Sequence, residues 1–258
     1  MTAATTPAAG TGGDTVLETR GLSVNFGGLK AVDQVDVKVR RGGITSIIGP
    51  NGAGKSTFYN LVTGALRPTA GKVLLEGRDI TGMPTHKLTA LGLSRSFQIT
   101  NLFPENTVFE NLRLAAQVLE PWSRSLLPAS HSRIAEAKAE SLIGRFGLTA
   151  KATELAGHLS HGEQRRLEIA VALACEPSIL ILDEPTQGMS HTDTEEASRM
   201  VRDLGRDMTV VLIEHDIDIV MDLSHTVIVL AQGRKLAEGA PAEVRANKDV
   251  QTAYFGAD

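Results

Sequence analysis

One octapeptide narrows what this chain can fold into more than any other feature. Gly49-Pro50-Asn51-Gly52-Ala53-Gly54-Lys55-Ser56 fits the pattern G-x-x-x-x-G-K-[ST]. It stands between an apolar run, Ile44-Thr45-Ser46-Ile47-Ile48, and a helical spacing of apolar residues at Phe58, Leu61 and Val62. A strand that turns through glycines into a helix is the setting in which this pattern makes a phosphate site. Glycine lets backbone N–H groups converge on phosphate oxygens with no Cβ in the way. The helix N-terminus adds a field that favours anions. Lys55 brings a positive charge to the β- and γ-phosphates, and Ser56 offers a hydroxyl to Mg²⁺. Gly49 through Ser56, with the adjoining Thr57, are the candidate nucleotide-binding residues.

Two further segments fit such a site. Ile179-Leu180-Ile181-Leu182-Asp183-Glu184 is an apolar strand ending in two carboxylates. Asp183 stands where a metal-facing carboxylate of a phosphate-loop enzyme is expected, at the carboxyl end of a parallel strand. Glu184 can orient and deprotonate an attacking water. The stretch Leu159-Ser160-His161-Gly162-Glu163-Gln164 opens a helix with the capping-box pattern Ser-x-x-Glu. Ser160 either only caps that helix, or its N-terminus is a second phosphate-binding surface. His158 and His161 are three apart, but no further Cys or His completes a metal site.

Around these segments the pattern is that of an α/β chain. Segments near Val16–Asn25, Val35–Val39 and Lys72–Glu76 alternate as half-exposed strands do and suggest a mainly antiparallel sheet beside a parallel core. From about His86 to Leu159 the spacing turns helical, with Val108, Leu112 and Ala115 on one face and a second helix from Ile134 to Phe146. A breaker-rich connector, Pro121 to Pro128, holds the only tryptophan, Trp122. Beyond Leu159, short strands at Ile179–Leu182, Thr209–Ile213 and Val227–Leu230 alternate with helices, as in a parallel sheet. At 258 residues and 42% hydrophobic, the chain can bury a sizeable core. No apolar run approaches the roughly 18 residues of a membrane span. A net charge of −4 argues against nucleic acid as the main partner. The single cysteine, Cys175, fits a reducing compartment. Residues 1–14 lack a basic start and an apolar core, so they are expected to be a disordered tail rather than a secretion signal.

The phosphate loop, Gln98 after Ser96-Phe97, the Leu159–Gln164 segment, Asp183-Glu184-Pro185-Thr186 and His215 occur in the order found in ATP-binding cassette (ABC) transporter ATPases. The resemblance runs from Val16 to Phe255. More narrowly, Thr107-Val108-Phe109-Glu110-Asn111-Leu112, Arg165-Arg166-Leu167-Glu168, Leu212-Ile213-Glu214-His215-Asp216 and the ending Ala253-Tyr254-Phe255-Gly256 resemble the branched-chain amino acid importer ATPases, a group that includes urea and amide systems. The resemblance implies an α/β, P-loop NTPase core over 15–258, its mixed sheet carrying an antiparallel β subdomain, with a helical subdomain inserted at 86–160. It implies ATP and Mg²⁺, with the metal on Ser56, Gln98 and Asp183. Phe26 would stack on adenine, or else is an ordinary turn-flanking core aromatic. Gln98 would contact Mg²⁺ or the lytic water and relay movement to a membrane permease. His215 would contact the γ-phosphate, or else is a buried, satisfied histidine. Ser160, Gly162 and Gln164 would meet the nucleotide of a second ATPase subunit, identical or related, across a head-to-tail dimer. A solute-binding protein would act indirectly, and the subunit would sit peripherally on the cytoplasmic face of the inner membrane. Leu102 and Phe103 would either face the permease or anchor the helical subdomain.

The sequence departs from the family pattern at His161, where glycine is commonest, at Glu163, and at Ser190, where many cassettes carry Asp. Rival readings are a lipopolysaccharide-export ATPase, an ABC-type ATPase acting on DNA or ribosomes, and a nucleotide kinase. The kinase would have no need of the Ser160–Gln164 segment.

Overall fold

A computed structural model of the chain describes residues 14–95, 102–119 and 132–255. Gln98, the connector with Trp122, and all of the expected tail except Asp14 lie outside the described residues. The chain opens with β1 (Thr15–Phe26) and β2 (Leu29–Arg40), then β3 (Gly43–Ile48) leads through the phosphate loop into α1 (Lys55–Val62). There follow β4 (Ala70–Leu75), β5 (Arg78–Asp79), α2 (Thr85–Ala90) and β6 (Leu93–Arg95). The helical part comprises α3 (Val108–Ala116), α4 (Arg133–Arg145) and α5 (His161–Leu173). The rest alternates: β7 (Ile179–Asp183), α6 (His191–Asp207), β8 (Thr209–Ile213), α7 (Ile217–Leu223), β9 (Thr226–Ala231) and β10 (Arg234–Gly239). The short helices α8 (Pro241–Ala246) and α9 (Lys248–Phe255) end it.

Two sheets result. The antiparallel one has the order β2-β1-β4-β5. In β2, Val35, Val37 and Val39 are buried while Asp36, Lys38 and Arg40 are exposed, the period of two that one covered face requires. The other sheet runs β10-β9-β3-β8-β7-β6, parallel throughout except for the edge strand β10. Its inner strands β7 and β8 are covered on both faces, and their successive residues divide between two cores. Ile179 and Ile181 of β7, with Val211 and Ile213 of β8, face α1 and the antiparallel sheet. Their neighbours Leu180, Leu182, Val210 and Leu212 face α3 to α6. This alternation stacks both sheets and the helices into one body.

The expected antiparallel sheet beside a parallel core is present, with β3 belonging to the parallel one. The helical spacing expected from His86 onward is interrupted, however. Leu93–Arg95 pairs parallel to Ile179–Ile181 as the edge strand β6, and three residues are too few to show a period of two. Beyond it, Val108, Leu112 and Ala116 of α3 pack against Ala135, Ala139, Leu142 and Ile143 of α4.

Candidate nucleotide site

The parallel register assembles the site. Ile47 of β3 is level with Ile213 of β8, and Ile213 is level with Asp183 of β7. Just past that row stand Gly49, the pair Glu214-His215, and Glu184, all at the carboxyl end of the sheet. Ligands of open α/β sheets gather at this edge.

In the phosphate loop two glycines are obligatory. Gly54 has φ 97°, and a Cβ there would collide with the Ala31 carbonyl. Gly49 has φ 159°, and a Cβ there would strike the Leu230 carbonyl. Gly54 is also the N-cap of α1, and no side chain caps that helix or places an acid in its first turn. The leading N–H groups of α1 therefore keep their donor capacity and partial positive charge for an anion. Lys55 is buried, and its Nζ donates to the carbonyls of Gly49 at 2.7 Å and Pro50 at 3.2 Å. Burial lowers the pKa of its ammonium, while Glu184 and Asp183 pull the other way. Ser56 is exposed at the start of the helix.

Asp183 is buried, and its carboxyl is pushed up to about 6, first by loss of hydration and then by the neighbouring Glu184, with Arg165 opposing. Glu184 takes a positive φ of 44°, unusual for a side-chain-bearing residue, and its N–H is anchored on the Ile213 carbonyl at 2.8 Å. Its Oε1 lies 3.9 Å from His215 Nδ1. The His215 side chain is half exposed, which rules out the buried, satisfied histidine. Phe26 is 52% exposed at the tip of the β1–β2 hairpin, so it is not a core aromatic. Five residues on, the Ala31 carbonyl packs against Gly54, which ties that hairpin to the loop.

Two residues quoted above only for their resemblance hold this edge together. Glu214 is fully buried. It accepts from the Thr186 N–H at 3.2 Å, the Thr186 hydroxyl at 2.5 Å and the His215 N–H at 3.1 Å. It thereby fastens the chain after β7 to the chain after β8. Arg165 of α5 donates to the Asp183 carbonyl at 2.9 Å and the Pro185 carbonyl at 3.2 Å, and pairs with Glu168 at 2.7 Å. The sequence signal for both was a charged residue at an otherwise buried position, visible only once the neighbouring strands are placed.

The Ser160 segment forms the full capping box. Ser160 Oγ accepts from the Glu163 N–H at 3.3 Å, and the Glu163 carboxylate accepts from the Ser160 N–H at 2.8 Å. Gln164 Nε2 turns inward to the Ala156 carbonyl at 3.3 Å. The outermost N–H groups of α5 are then those of His161 and Gly162. The open side of Gly162 faces Asp193, whose Oδ1 would be 2.9 Å from a Cβ there. Within the chain His161, Gln164, Asp183, Glu184 and Gln187 share a polar cleft that no phosphate-loop residue lines. Ser190, the departure after the carboxylates, caps α6 by accepting from the Asp193 N–H at 3.3 Å. Leu102 packs on the helical core, as the anchoring role weighed for this pair requires, whereas Phe103 is 58% exposed.

The raised carboxyl of Asp183 has a stability consequence. A carboxyl whose pKa is raised by folding favours the folded state below its unfolded value, 3.8, and that contribution is lost as pH rises through about 6. Asp183→Asn is therefore expected to stabilise the nucleotide-free chain at pH 7 by roughly 1–3 kcal/mol and to flatten its stability between pH 4 and 6. Urea unfolding at several pH values checks this, and equal stability of the two proteins at pH 7 would contradict it.

Comparison with known proteins agrees with this geometry. The model of the ABC transporter family matches residues 32–187, and that of the branched-chain amino acid ATP-binding cassette transporter matches residues 234–258. The chain is 40% identical over 249 residues to the high-affinity branched-chain amino acid transport ATP-binding protein BraF of Pseudomonas aeruginosa, covering 93% of this chain and 98% of that one. The crystal structure of a nucleotide-free ATP-binding cassette from an ABC transporter superposes with a TM-score of 0.83 at 31% identity, over 94% of this chain and 100% of that one. A dimeric cassette in a post-hydrolysis state, bound to ADP and Pi, gives a TM-score of 0.74 at 26% identity, over 87% of this chain and 98% of that one. With its glycine cradle, paired carboxylates and capped α5 in one frame with these relatives, the chain belongs to the ABC transporter family as one of its ATPase subunits.

Proposed function

We propose that the chain powers an importer of branched-chain amino acids, or of a related small polar solute such as urea or an amide, through a membrane permease. The observation that carries this reading is the C-terminal stretch 234–258, which matches the branched-chain family model in a chain already 40% identical to BraF. No helix among the described residues is long and apolar enough to cross a membrane, so the path for the solute must come from partner subunits. The proposed location is the cytoplasmic face of the inner membrane, with a solute-binding protein acting on the far side.

In this reading Phe26 offers its exposed ring to adenine, and Gly49 through Thr57 wrap the phosphates. The residues present fit a divalent cation. A hydroxyl on Ser56 and a buried carboxylate on Asp183 are hard oxygen donors, and the crowding of Asp183 by Glu184 is what a positive charge would relieve. When bound, Mg²⁺ would be held by Ser56 and Asp183 and would neutralise phosphate charge there. Glu184 orients the attacking water and takes its proton, while His215, held through its backbone by Glu214, donates to the γ-phosphate. Gln98 is assigned the relay to the permease.

Two subunits close head to tail, so that the tip of α5 in one completes the site of the other. That a solved cassette 26% identical to this chain is dimeric and bound to ADP and Pi supports a pairing of subunits. Phe103 and Val118 are exposed, and a cleft of about 260 Å³ is lined by Leu102, Val118, Val171 and Cys175. These apolar groups suit a permease helix.

The test is reconstitution of the subunit with its co-purifying permease and measurement of ATP hydrolysis against receptor loaded with leucine, urea or a short amide. Stimulation by the leucine-loaded receptor is expected. Stimulation by none of the three, or co-purification of nucleic acid in place of a polytopic membrane protein, would overturn the reading.

A further inference from the structure

Three neighbours hold the backbone around Glu184, and one of them is a side chain from another element. The φ of 44° at Glu184 is a conformation that a residue with a side chain keeps only where its surroundings over-determine it. The peptide joining Asp183 to Glu184 is held at both ends. Its N–H, that of Glu184, donates to the Ile213 carbonyl at 2.8 Å, and its carbonyl, that of Asp183, accepts from Arg165 Nη2 at 2.9 Å. The Glu184 carbonyl accepts from the Gln187 N–H at 3.2 Å, and the Pro185 carbonyl accepts from Arg165 Nε at 3.2 Å. The planar guanidinium thus grips the carbonyls before and after Glu184, a fork that a lysine ammonium cannot reproduce. Arg165 is itself fixed, its side chain 10% exposed and its Nη1 bonded to Glu168 Oε2 at 2.7 Å. It belongs to α5, the helix whose capped tip begins one turn earlier at His161.

We infer that Arg165 is a positioning residue for Glu184. By clamping the two flanking carbonyls it sets the direction in which the Glu184 carboxylate leaves the backbone, and it makes that direction follow α5. The inference rests on the reading of Glu184 as the base that activates the attacking water.

Arg165→Lys keeps the charge beside Glu168 but loses the fork. In the full-length subunit it is expected to lower kcat by about 10- to 100-fold, the scale of a misplaced catalytic group, with KM for ATP close to the parent value. Glu168→Gln, which neutralises the partner of Arg165 and leaves both carbonyl contacts in place, is expected to move Tm rather than kcat. In a chain that already carries Glu184→Gln, Arg165→Lys is expected to add almost nothing to the loss of single-turnover hydrolysis, because residues that act as a unit are not additive. A parent-like kcat in Arg165→Lys, an equal fall in Glu168→Gln, a full multiplicative loss on top of Glu184→Gln, or a chain that no longer folds would reduce Arg165 to a structural tie and overturn the assignment. Glu184→Gln alone separates the two levels. If it lowers turnover while Arg165→Lys is silent, only the Arg165 assignment fails; if Glu184→Gln is itself silent, the base is misread.

Discussion

Glu184→Gln is expected to lower ATP turnover by about 10²- to 10⁴-fold, the usual worth of a positioned base, while leaving ATP bound. The substitution keeps the shape of the side chain and removes its charge. The positive φ at residue 184 and the anchor of its N–H on the Ile213 carbonyl belong to the backbone and survive the change. Loss of one carboxylate beside Asp183 also removes the largest of the neighbouring charges that raise the Asp183 carboxyl, so the site becomes more hospitable to a polyanion. The variant should therefore hold ATP at least as tightly as the parent. Single-turnover hydrolysis set against nucleotide binding checks the split, and turnover near the parent rate would remove Glu184 from the role.

Lys55→Ala acts on the other side of the same balance. Its ammonium is the cation lying among the loop carbonyls and electrostatically coupled to Asp183 and Glu184. Without it, the triphosphate meets two carboxylates with less to offset them. Hydrogen bonds to charged groups are worth about 1.5–3 kcal/mol, so ATP affinity should fall roughly 10- to 150-fold. Stability of the nucleotide-free chain should change little, because the substitution also relieves the burial of a charge. Calorimetric titration with ATP and thermal unfolding without it measure the two effects, and unchanged affinity would contradict the loop's role.

Much of this site was legible in the sequence because its chemistry is local. The phosphate loop lies in eight consecutive residues, the carboxylates end one apolar strand, and the Ser160–Glu163 box spans one helical turn. Each is written at the spacing of the element that carries it. The three parallel strands read as apolar runs were equally plain, since burial on both faces leaves little else at those positions. What escaped was what depends on neighbours distant in sequence. Glu214 and Arg165 matter because β7 and β8 lie side by side and α5 crosses behind them. Strand β6 draws its identity from pairing with β7 rather than from its own three residues. Gly162 lies beside Asp193 in the first turn of α6, a neighbour 31 positions away in the chain. Sequence spacing could not bring those two helix ends together.

The central claim is that one triphosphate is held jointly, by the loop of one subunit and the tip of α5 in its neighbour. The most direct measurement is cysteine crosslinking between subunits, in an Asn51→Cys, His161→Cys chain that also carries Cys175→Ser and Glu184→Gln. The account predicts an intermolecular crosslink that forms with ATP and not with ADP, on a particle of twice the monomer mass. A particle that stays monomeric with ATP bound, and forms no such crosslink, would contradict it.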